Sequence, residues 1–491
     1  MIPTANQMIR PVPVLMGIVI LLALAAGCTT QQRYQYDAIQ EAHRADVLRR
    51  SGTAASPLQD IPEGPLALED AIRFAVANNP DRQMAAARIQ QSEALLQKAE
   101  AAFYPSLAFY TEYLGGNAPS AYLFKKLDQR QFSLSGDLNN PGTWDNFESG
   151  LNARWNLFSG GRDLLNREMT VIGRDISRLD REIVINAVAA SVIQSYFNYL
   201  TADAFLAIAR QSVATVDDQL RVMQVRYDEG AALKSDLLSL RVRRAEAQEE
   251  EARSRNRREL ARAALATIMG TGTDTPLEPE EDATTSLDVP AHFDAGLAYA
   301  LANRPEVRSL HEKVRQSRMA VDQARTGYIP SIDAFGKYYY DDENMDYNWD
   351  DDNWVAGLLF NWEIFSGFGT RAQENEARAV FEGMLQQDRK NTLAVELEVK
   401  SAYLALDEAK ARLEVARSRV ANADETLVLV RRQYDSGAAT ITRYLEAELA
   451  RSQAHMSQAA ALYDREKALA DIARAIGHLA IVYPETTPPS P

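Results

Sequence analysis

Residues 185–227 read INAVAASVIQSYFNYLTADAFLAIARQSVATVDDQLRVMQVRY. Every third or fourth position gives Ile185, Val188, Val192, Tyr196, Tyr199, Asp203, Leu206, Ala209, Val213, Val216, Leu220, Met223 and Tyr227, twelve steps over 42 residues. The mean step of 3.5 is the coiled-coil period. The same frame returns 207 residues later as Thr392, Val395, Val399, Tyr403, Leu406, Lys410, Leu413, Ala416, Val420, Ala423, Leu427, Val430 and Tyr434. The single charged interruption, Asp203 or Lys410, falls at the same place in both, so a long helix has been duplicated and the rest of the chain is built around it.

Upstream of each long helix the same signals recur. Leu66 to Asn79 reads as a short amphipathic helix stopped by Asn78-Asn79-Pro80, and Phe293 to Arg304 is its copy, stopped by Asn303-Arg304-Pro305. Proline cannot donate a backbone hydrogen bond and restricts the residue before it, so each helix breaks there. Second helices over about 81–103 and 306–328 run to Tyr104-Pro105-Ser106 and Ile329-Pro330-Ser331. The offset between copies is 225 up to these prolines and 207 after the next strands. A fixed offset is the signature of internal repetition.

After each proline the apolar period switches to two, the strand period. The spacing predicts strands at about 104–114, 147–158, 330–340 and 354–365. Leu107, Phe109, Thr111 and Tyr113 face one way and Ala108, Tyr110 and Glu112 the other; in the return strand Leu151, Ala153, Trp155 and Leu157 alternate with Asn152, Arg154 and Asn156. In the second copy Ile332, Ala334, Gly336, Tyr338 and Tyr340 alternate with Asp333 and Lys337, and Leu358, Phe360, Trp362 and Ile364 match the first return strand. Strands of about ten residues with one apolar face fit a membrane barrel, with Tyr113, Trp155, Tyr338 and Trp362 as its aromatic belt. A half-buried sheet in a soluble protein alternates in the same way. Four strands cannot close, and an open edge in lipid leaves backbone groups unpaired. A barrel would therefore be shared between chains: at least two copies are required, and three would give twelve strands.

The loops between paired strands are long and polar. One runs from Gly115 to about Asn146; the other, 341–353, carries Asp341, Asp342, Glu343, Asp346, Asp350, Asp351 and Asp352. Such carboxylates suit Ca²⁺ or Mg²⁺, but without a glycine turn or fixed ligand spacing a solvated loop is the simpler reading. Return strands end in Phe158-Ser159-Gly160-Gly161 and Phe365-Ser366-Gly367-Phe368-Gly369. Gly367, Gly369 and Ala372 match a dinucleotide fingerprint. The match is rejected, because a helix of about 65 residues with no second parallel strand is no nucleotide crossover. Glycines here let the backbone bend from strand into helix.

The first long helix, about 163–228, ends at Tyr227-Asp228-Glu229-Gly230, echoed by Tyr434-Asp435-Ser436-Gly437. The helix returning over about 232–270 and the one before the first strand together nearly equal the long helix in length, which predicts that they stack end to end beside it. The first repeat spans 66–270, an acidic linker 271–290, the second repeat 291–477, and a tail at 478–491 is expected to be disordered.

The chain starts with Arg10 and an apolar run from Val12 to Ala26, then Gly27-Cys28. That run is shorter than the roughly 20 residues a membrane span needs, so 1–27 reads as a signal peptide. Cys28 is the only cysteine among 491 residues, so no internal disulfide exists. Its surroundings resemble a bacterial lipobox, with Ala25 where leucine is more usual. That resemblance implies cleavage before Cys28, lipidation there, and, with Thr29 following, sorting to the outer membrane. An ordinary export signal with an incidental cysteine is the other reading. Residues 28–65 form a polar tether.

From Cys28 onward the chain carries 52 basic and 68 acidic side chains. With no basic cluster, a nucleic-acid partner is excluded. Histidines 43, 292, 311, 455 and 478 are scattered and no catalytic or cofactor motif stands out, so the chain is read as no enzyme, with no metal or cofactor beyond the lipid on Cys28.

Over about residues 66–477 the chain resembles the TolC-type outer-membrane efflux proteins. The prolines after the second helices, the Phe-Ser-Gly turns and the paired Tyr-x-x-Gly turns carry the resemblance, each twice in register. It implies a mainly α fold with a membrane β-barrel, a homotrimer of twelve strands and twelve helices in the outer membrane of a Gram-negative cell. It also implies a periplasmic adaptor and an inner-membrane pump as partners. The tips would form the inner aperture: Tyr227, Asp236, Tyr434, Arg443 and Glu446, with Asp236 at the family's acidic position and Arg443 a departure from it. A ring mixing Asp236 with Arg443 would close that end by ion pairs; helix-start charges serving the dipole are the plainer alternative. A poreless periplasmic coiled-coil scaffold is the rival function.

Overall fold

The computed structural model describes residues 64–483, apart from 134–136, 286, 348 and 349, together with Ile39 and Glu41. The signal at 1–27, Cys28, nearly all of the tether and residues 484–491 lie outside the described residues.

Each repeat opens with a short helix, α1 (Leu68–Asn78), followed across one residue by α2 (Pro80–Glu100). Asn79 is the joint. Its side-chain oxygen accepts from the Asp81 N–H at 2.8 Å and so caps α2; Asn is among the best residues for this because it satisfies an orphan donor of the first turn. A 3-10 turn over 101–103 leads into β1 (Ser106–Gly116), and then come α3 (Pro119–Asp128) and β2 (Trp144–Phe158). The long α4 (Arg162–Asp228) has 67 residues, about 100 Å of helix at 1.5 Å per residue. It returns as α5 (Lys234–Ile268). The second copy is α6 (Phe293–Asn303), α7 (Pro305–Arg325), β3 (Ser331–Asp342), β4 (Asp352–Asn361), α8 (Gly369–Asp435, again 67 residues) and α9 (Ile441–Ala475), with a terminal turn α10 (Leu479–Val482).

The shorter helices do stack end to end. The Asn79 amide donates to the carbonyl of Ile268 at 2.8 Å, tying the start of α2 to the end of α5. In the second copy Arg304 donates to the Ala475 carbonyl at 3.0 Å across the same joint between α7 and α9. The composite helices pack along α4 and α8; α4 is flanked on one side by α2 and α5 and on the other by α7 and α9, whereas α8 packs mainly against α6, α7 and α9 of its own repeat and meets α4 at the hairpin tip.

The apolar frame of α4 is the core. Ile185, Val188, Val192, Tyr196, Tyr199, Leu206, Ala209, Val216 and Met223 are buried, and Tyr196, Phe197 and Ile193 are fully so. Tyr403, 207 residues later, is buried in the equivalent cluster around α6. The two charged interruptions diverge: Asp203 pairs with Arg258 of α5, while Lys410 is exposed.

The four strands form one antiparallel sheet in the order β1-β2-β3-β4. Three sequence expectations need correction. The last strand does not reach 365: Asn361 pairs with Ser331, the first residue of β3, and beyond it stands Pro330, which has no N–H to extend the ladder, so Trp362 and Ile364 lie past the strand. The first loop is not simply long and polar, since it contains α3 with Tyr122, Leu123, Phe124 and Leu127. The tail does not begin at 478: Leu479 is fully buried against the α1–α4 core. The linker is also pinned. Leu66 and Pro279 form a β-bridge, the Tyr196 hydroxyl donates to the Leu66 carbonyl at 2.8 Å and accepts from the Glu280 N–H at 2.9 Å.

Candidate functional site: the two ends of the duct

The ladder register sorts the sheet into two faces. Leu107, Phe109 and Tyr113 stand opposite Ala153, Leu151 and Phe147 on one face; Leu151 continues to Tyr338 and that to Trp354. The other face carries Tyr110, Glu112, Asn146, Glu148, Asn152, Lys337 and Asp341. Phe109 is 72% and Leu358 71% exposed, so the apolar face is left uncovered by the described residues. Water disfavours such a contiguous patch, and lipid satisfies it.

Of the four residues read as an aromatic belt, Tyr113 lies toward the loop end, packed against Phe147 with ring centroids 4.8 Å apart, whereas Tyr338 stands opposite Leu151 midway along β2 and meets Tyr340 at 5.6 Å. Trp155 and Trp362 stand at the helix end. The run from Phe147 to Trp155 spans about 26 Å along the strand at about 3.3 Å per residue, which at a tilt of about 40° rises about 20 Å and covers most of the roughly 25 Å apolar band of an outer-membrane barrel. The polar face is knitted together around Glu148, which accepts from Tyr110 at 2.6 Å and pairs with Lys337 at 2.6 Å.

At the strand-to-helix corners both Gly160 and Gly161 have positive φ, and so do Gly367 and Phe368. Ser159 and Ser366 then accept from the backbone N–H groups of Asp163 and Thr370, starting α4 and α8. Serine is what lets the corner become a capped helix; a bare bend would leave those donors unpaired.

At the far end the two helical hairpins turn alike. The Gly230 N–H donates to the Tyr227 carbonyl at 2.9 Å and that of Gly437 to Tyr434 at 3.0 Å, with φ of +73° and +79°, the left-handed geometry that ends helices at glycine. The tips form one shared cluster in which Val216, Met223 and Leu237 of one hairpin meet Val430, Ile441 and Tyr444 of the other. Tyr434 lies 5.7 Å from the Tyr444 ring, and Arg226 stands over it at 6.0 Å. Burial pushes the Tyr434 hydroxyl above its usual range, Arg226 opposing and Asp236 reinforcing. The structure therefore brings Tyr227, Tyr434 and Asp236 together.

Arg443 and Glu446 are exposed. Within the chain Asp236 and Arg443 are not bonded to each other; the tip ion pair is Arg226–Asp435 at 3.9 Å. A firmer pair lies deeper and escaped the sequence reading. Glu448, 3% exposed, accepts from Ser212 of α4 at 2.8 Å and pairs with Arg243 of α5 at 3.0 Å, so one carboxylate ties α9 to both helices of the other hairpin. A heptad step from Ile441 lands on Glu448, which was the available signal.

In the acidic loop, Asp341 is buried in β3 and Asp342 accepts from the backbone of Asn344 and Asp346. Among the described residues no group of three or more His, Cys, Asp or Glu is placed to hold a metal ion.

A family model described as outer membrane efflux protein matches residues 71–271 and 297–478, one segment per repeat. The chain is 22% identical over 410 residues to the pyoverdine export outer membrane protein OpmQ of Pseudomonas putida, covering 84% of this chain and 85% of that protein. It is 24% identical to the alkaline protease secretion protein AprF of Pseudomonas aeruginosa, covering 81% and 82%. Its fold matches the crystal structure of the CmeC outer membrane channel of Campylobacter jejuni with a TM-score of 0.70 at 18% identity, covering 84% of this chain and 85% of that one.

Proposed function

This chain belongs to the outer membrane efflux protein family, and on that premise we propose that it is the exit duct of a tripartite efflux or secretion system rather than an enzyme or a poreless scaffold. Three copies pair β4 of one with β1 of the next, closing twelve strands in the outer membrane of a Gram-negative cell. The helices continue the duct through the periplasm, and the hairpin tips meet a periplasmic adaptor and an inner-membrane pump. Passage is passive, with the energy supplied by the pump.

One observation carries this reading: a four-stranded sheet with an uncovered apolar face and two unpaired edges. Lipid tolerates no open edge, so the strands must find partners in other copies. The helices agree, because α8 has its own α7 and α9 on one flank but, among the described residues, no composite helix along the other, where α4 has the α7 and α9 of the other repeat. A neighbour's α2 and α5 fit there, and Leu393, Leu397 and Leu404 of α8 await them.

The tips, with Tyr227, Asp236, Tyr434, Arg443 and Glu446, form the inner aperture in this reading, and a lipid on Cys28 anchors the chain to the membrane. OpmQ and AprF are named for export of pyoverdine and secretion of alkaline protease, and either class of cargo suits a passive duct.

The test is assembly and conductance of the full chain. Outer-membrane extracts should yield trimers that open steady ion channels in planar bilayers, with a lipid mass on the N-terminal peptide that Cys28→Ser removes. A monomer in detergent, or a protein recovered only in the soluble periplasmic fraction, would overturn the proposal.

A further inference from the structure

The helix in the first strand loop does not stand above the sheet. It lies on the polar face, held by a set of bonds that converge from three strands. Lys125 Nζ is 2.7 Å from Glu148 and 3.0 Å from Asp341, whose side chains are 5% and 0% exposed. Gln129, itself buried, donates to Asn146 at 2.7 Å and to the Asp145 carbonyl at 3.2 Å, and Asn146 in turn donates to Asp341 at 2.7 Å. From β4, Asn353 donates to the carbonyl of Asp128 at 3.1 Å. Lys126 reaches Glu343 at 2.8 Å. Burial opposes the charge on Lys125, but its two carboxylate partners outweigh that and hold the ammonium above its usual range. This is a latch, because breaking a buried pair leaves a charge uncompensated.

The other side of the helix is apolar and bare. Lys125 and Gln129, one turn apart, face the sheet; Leu127 is turned roughly opposite and Phe124 sideways, and they are 43% and 64% exposed. In the duct proposed above, on which this inference rests, the polar face of the sheet is the lumen, so these side chains point toward the pore axis. Glu148 and Asp341 stand opposite each other near the loop ends of β2 and β3, which sets the helix in the outer mouth.

Geometry leaves little room there. Twelve strands about 4.8 Å apart, tilted about 40°, close into a barrel about 24 Å across. Three helices, each about 10 Å thick with side chains, then crowd the axis. We propose that the three copies of α3 meet in the outer mouth, latched by Lys125, and that Phe124 and Leu127 form an apolar collar that limits the size of what leaves the duct. The occupant of each bare helix face is thus the same helix of the other two subunits.

Cross-linking tests this in the assembled protein. Cys28 is the only native cysteine and its sulfur carries the lipid in the form proposed above, so Leu127→Cys or Phe124→Cys in the otherwise unaltered chain supplies the sole free thiol, with the unaltered chain as the control. Both positions are exposed, and neither change disturbs the latch. A short thiol-to-thiol reagent should capture most trimers as covalent dimers, and adding Lys125→Ala should strongly reduce the yield. In bilayers, Phe124→Ala with Leu127→Ala should admit larger polyethylene glycols from the barrel side than the unaltered channel does. Trimers that conduct but give no cross-link at either position, with an unchanged polymer cutoff, would overturn the collar while leaving the duct standing. Failure to form trimers or channels at all would overturn the duct and the collar together.

Discussion

Trp155 donates its indole N–H to the carbonyl oxygen of Phe103 at 3.0 Å. The same bond recurs between Trp362 and Tyr328 at 3.1 Å, and these partners are offset by 207 and 225 residues from the first pair, the two offsets of the duplication. In each repeat, then, a tryptophan fastens the end of a return strand to the 3-10 turn that starts the outgoing strand. In the proposed barrel the ring would face the lipid boundary while its polar atom keeps a protein acceptor, the arrangement that suits tryptophan to such belts.

Trp155→Phe keeps the ring and removes the donor. A single hydrogen bond of this kind contributes about 1 kcal/mol net, and the two sites share no partner, so Trp155→Phe with Trp362→Phe should cost roughly twice as much. Heat dissociation of the trimer in detergent measures this; a double variant as stable as the unaltered protein would show the bonds to be incidental.

Tyr196→Phe should be more costly than either tryptophan change. Its hydroxyl is fully buried and bonds both Leu66 and Glu280, so removal loses two hydrogen bonds, although the Glu280 N–H keeps the Leu66 carbonyl at 3.2 Å. At about 1 kcal/mol net for each bond, the expected cost is about 2 kcal/mol. Its counterpart Tyr403 donates to the Pro290 carbonyl at 2.6 Å. Tyr403→Phe loses one bond where Tyr196→Phe loses two, so the first repeat should open before the second in hydrogen exchange.

Those tyrosines mark the boundary of what the chain's pattern discloses. Tyr196 and Tyr403 stand out from the sequence as positions of a 3.5-residue frame, because burial follows from periodicity. Their hydroxyl partners do not, since Leu66, Glu280 and Pro290 sit far away in sequence and carry no motif. The strands were legible in the same way, with Leu151 and Asn152 already on opposite faces. Where β4 stops was not, because that depends on the pairing of Asn361 with Ser331 beside Pro330. The helix α3 escaped because its ten residues give barely three turns of pattern and its place is set by Lys125 reaching across to Asp341. At the tips, Asp236 and Arg443 attract attention as exposed charges near a turn, while the better-partnered charge, Glu448, hides within an apolar frame.

Glu448→Gln keeps the shape and removes the charge that Arg243 faces. Arg243 is 13% and Glu448 4% exposed by side chain, and stripping one partner from a buried pair costs about 3 kcal/mol. The loss should fall on the hairpin tips rather than on the barrel. Amide exchange in 229–236 and 436–443 should rise while that of β2 and β3 stays unchanged. Equal loosening at both ends would show that Glu448 stabilises the whole fold and not the tip junction.

The terminal turn should loosen in mild acid, for a reason located at His478. Its Nδ1 lies 3.0 Å from the Tyr299 hydroxyl, and the rings meet edge to face at 5.7 Å. Burial holds its pKa below the ordinary value, with Asp288 opposing in part. An unfolded histidine titrates near about 6.5, so below that pH the unfolded chain binds a proton that the folded one resists. Stability from this site is therefore complete above about pH 6.5 and is lost as pH falls toward the lower folded value. Since Leu479 anchors the following turn in the core, the amides of 478–483 should exchange faster at about pH 5.5 than at about pH 7.5, after correction for intrinsic rates. His478→Asn should flatten that difference while leaving the acid sensitivity of the remaining chain in place. If the variant and the unaltered protein keep the same pH dependence over these residues, the proton goes elsewhere and His478 is only a packing residue.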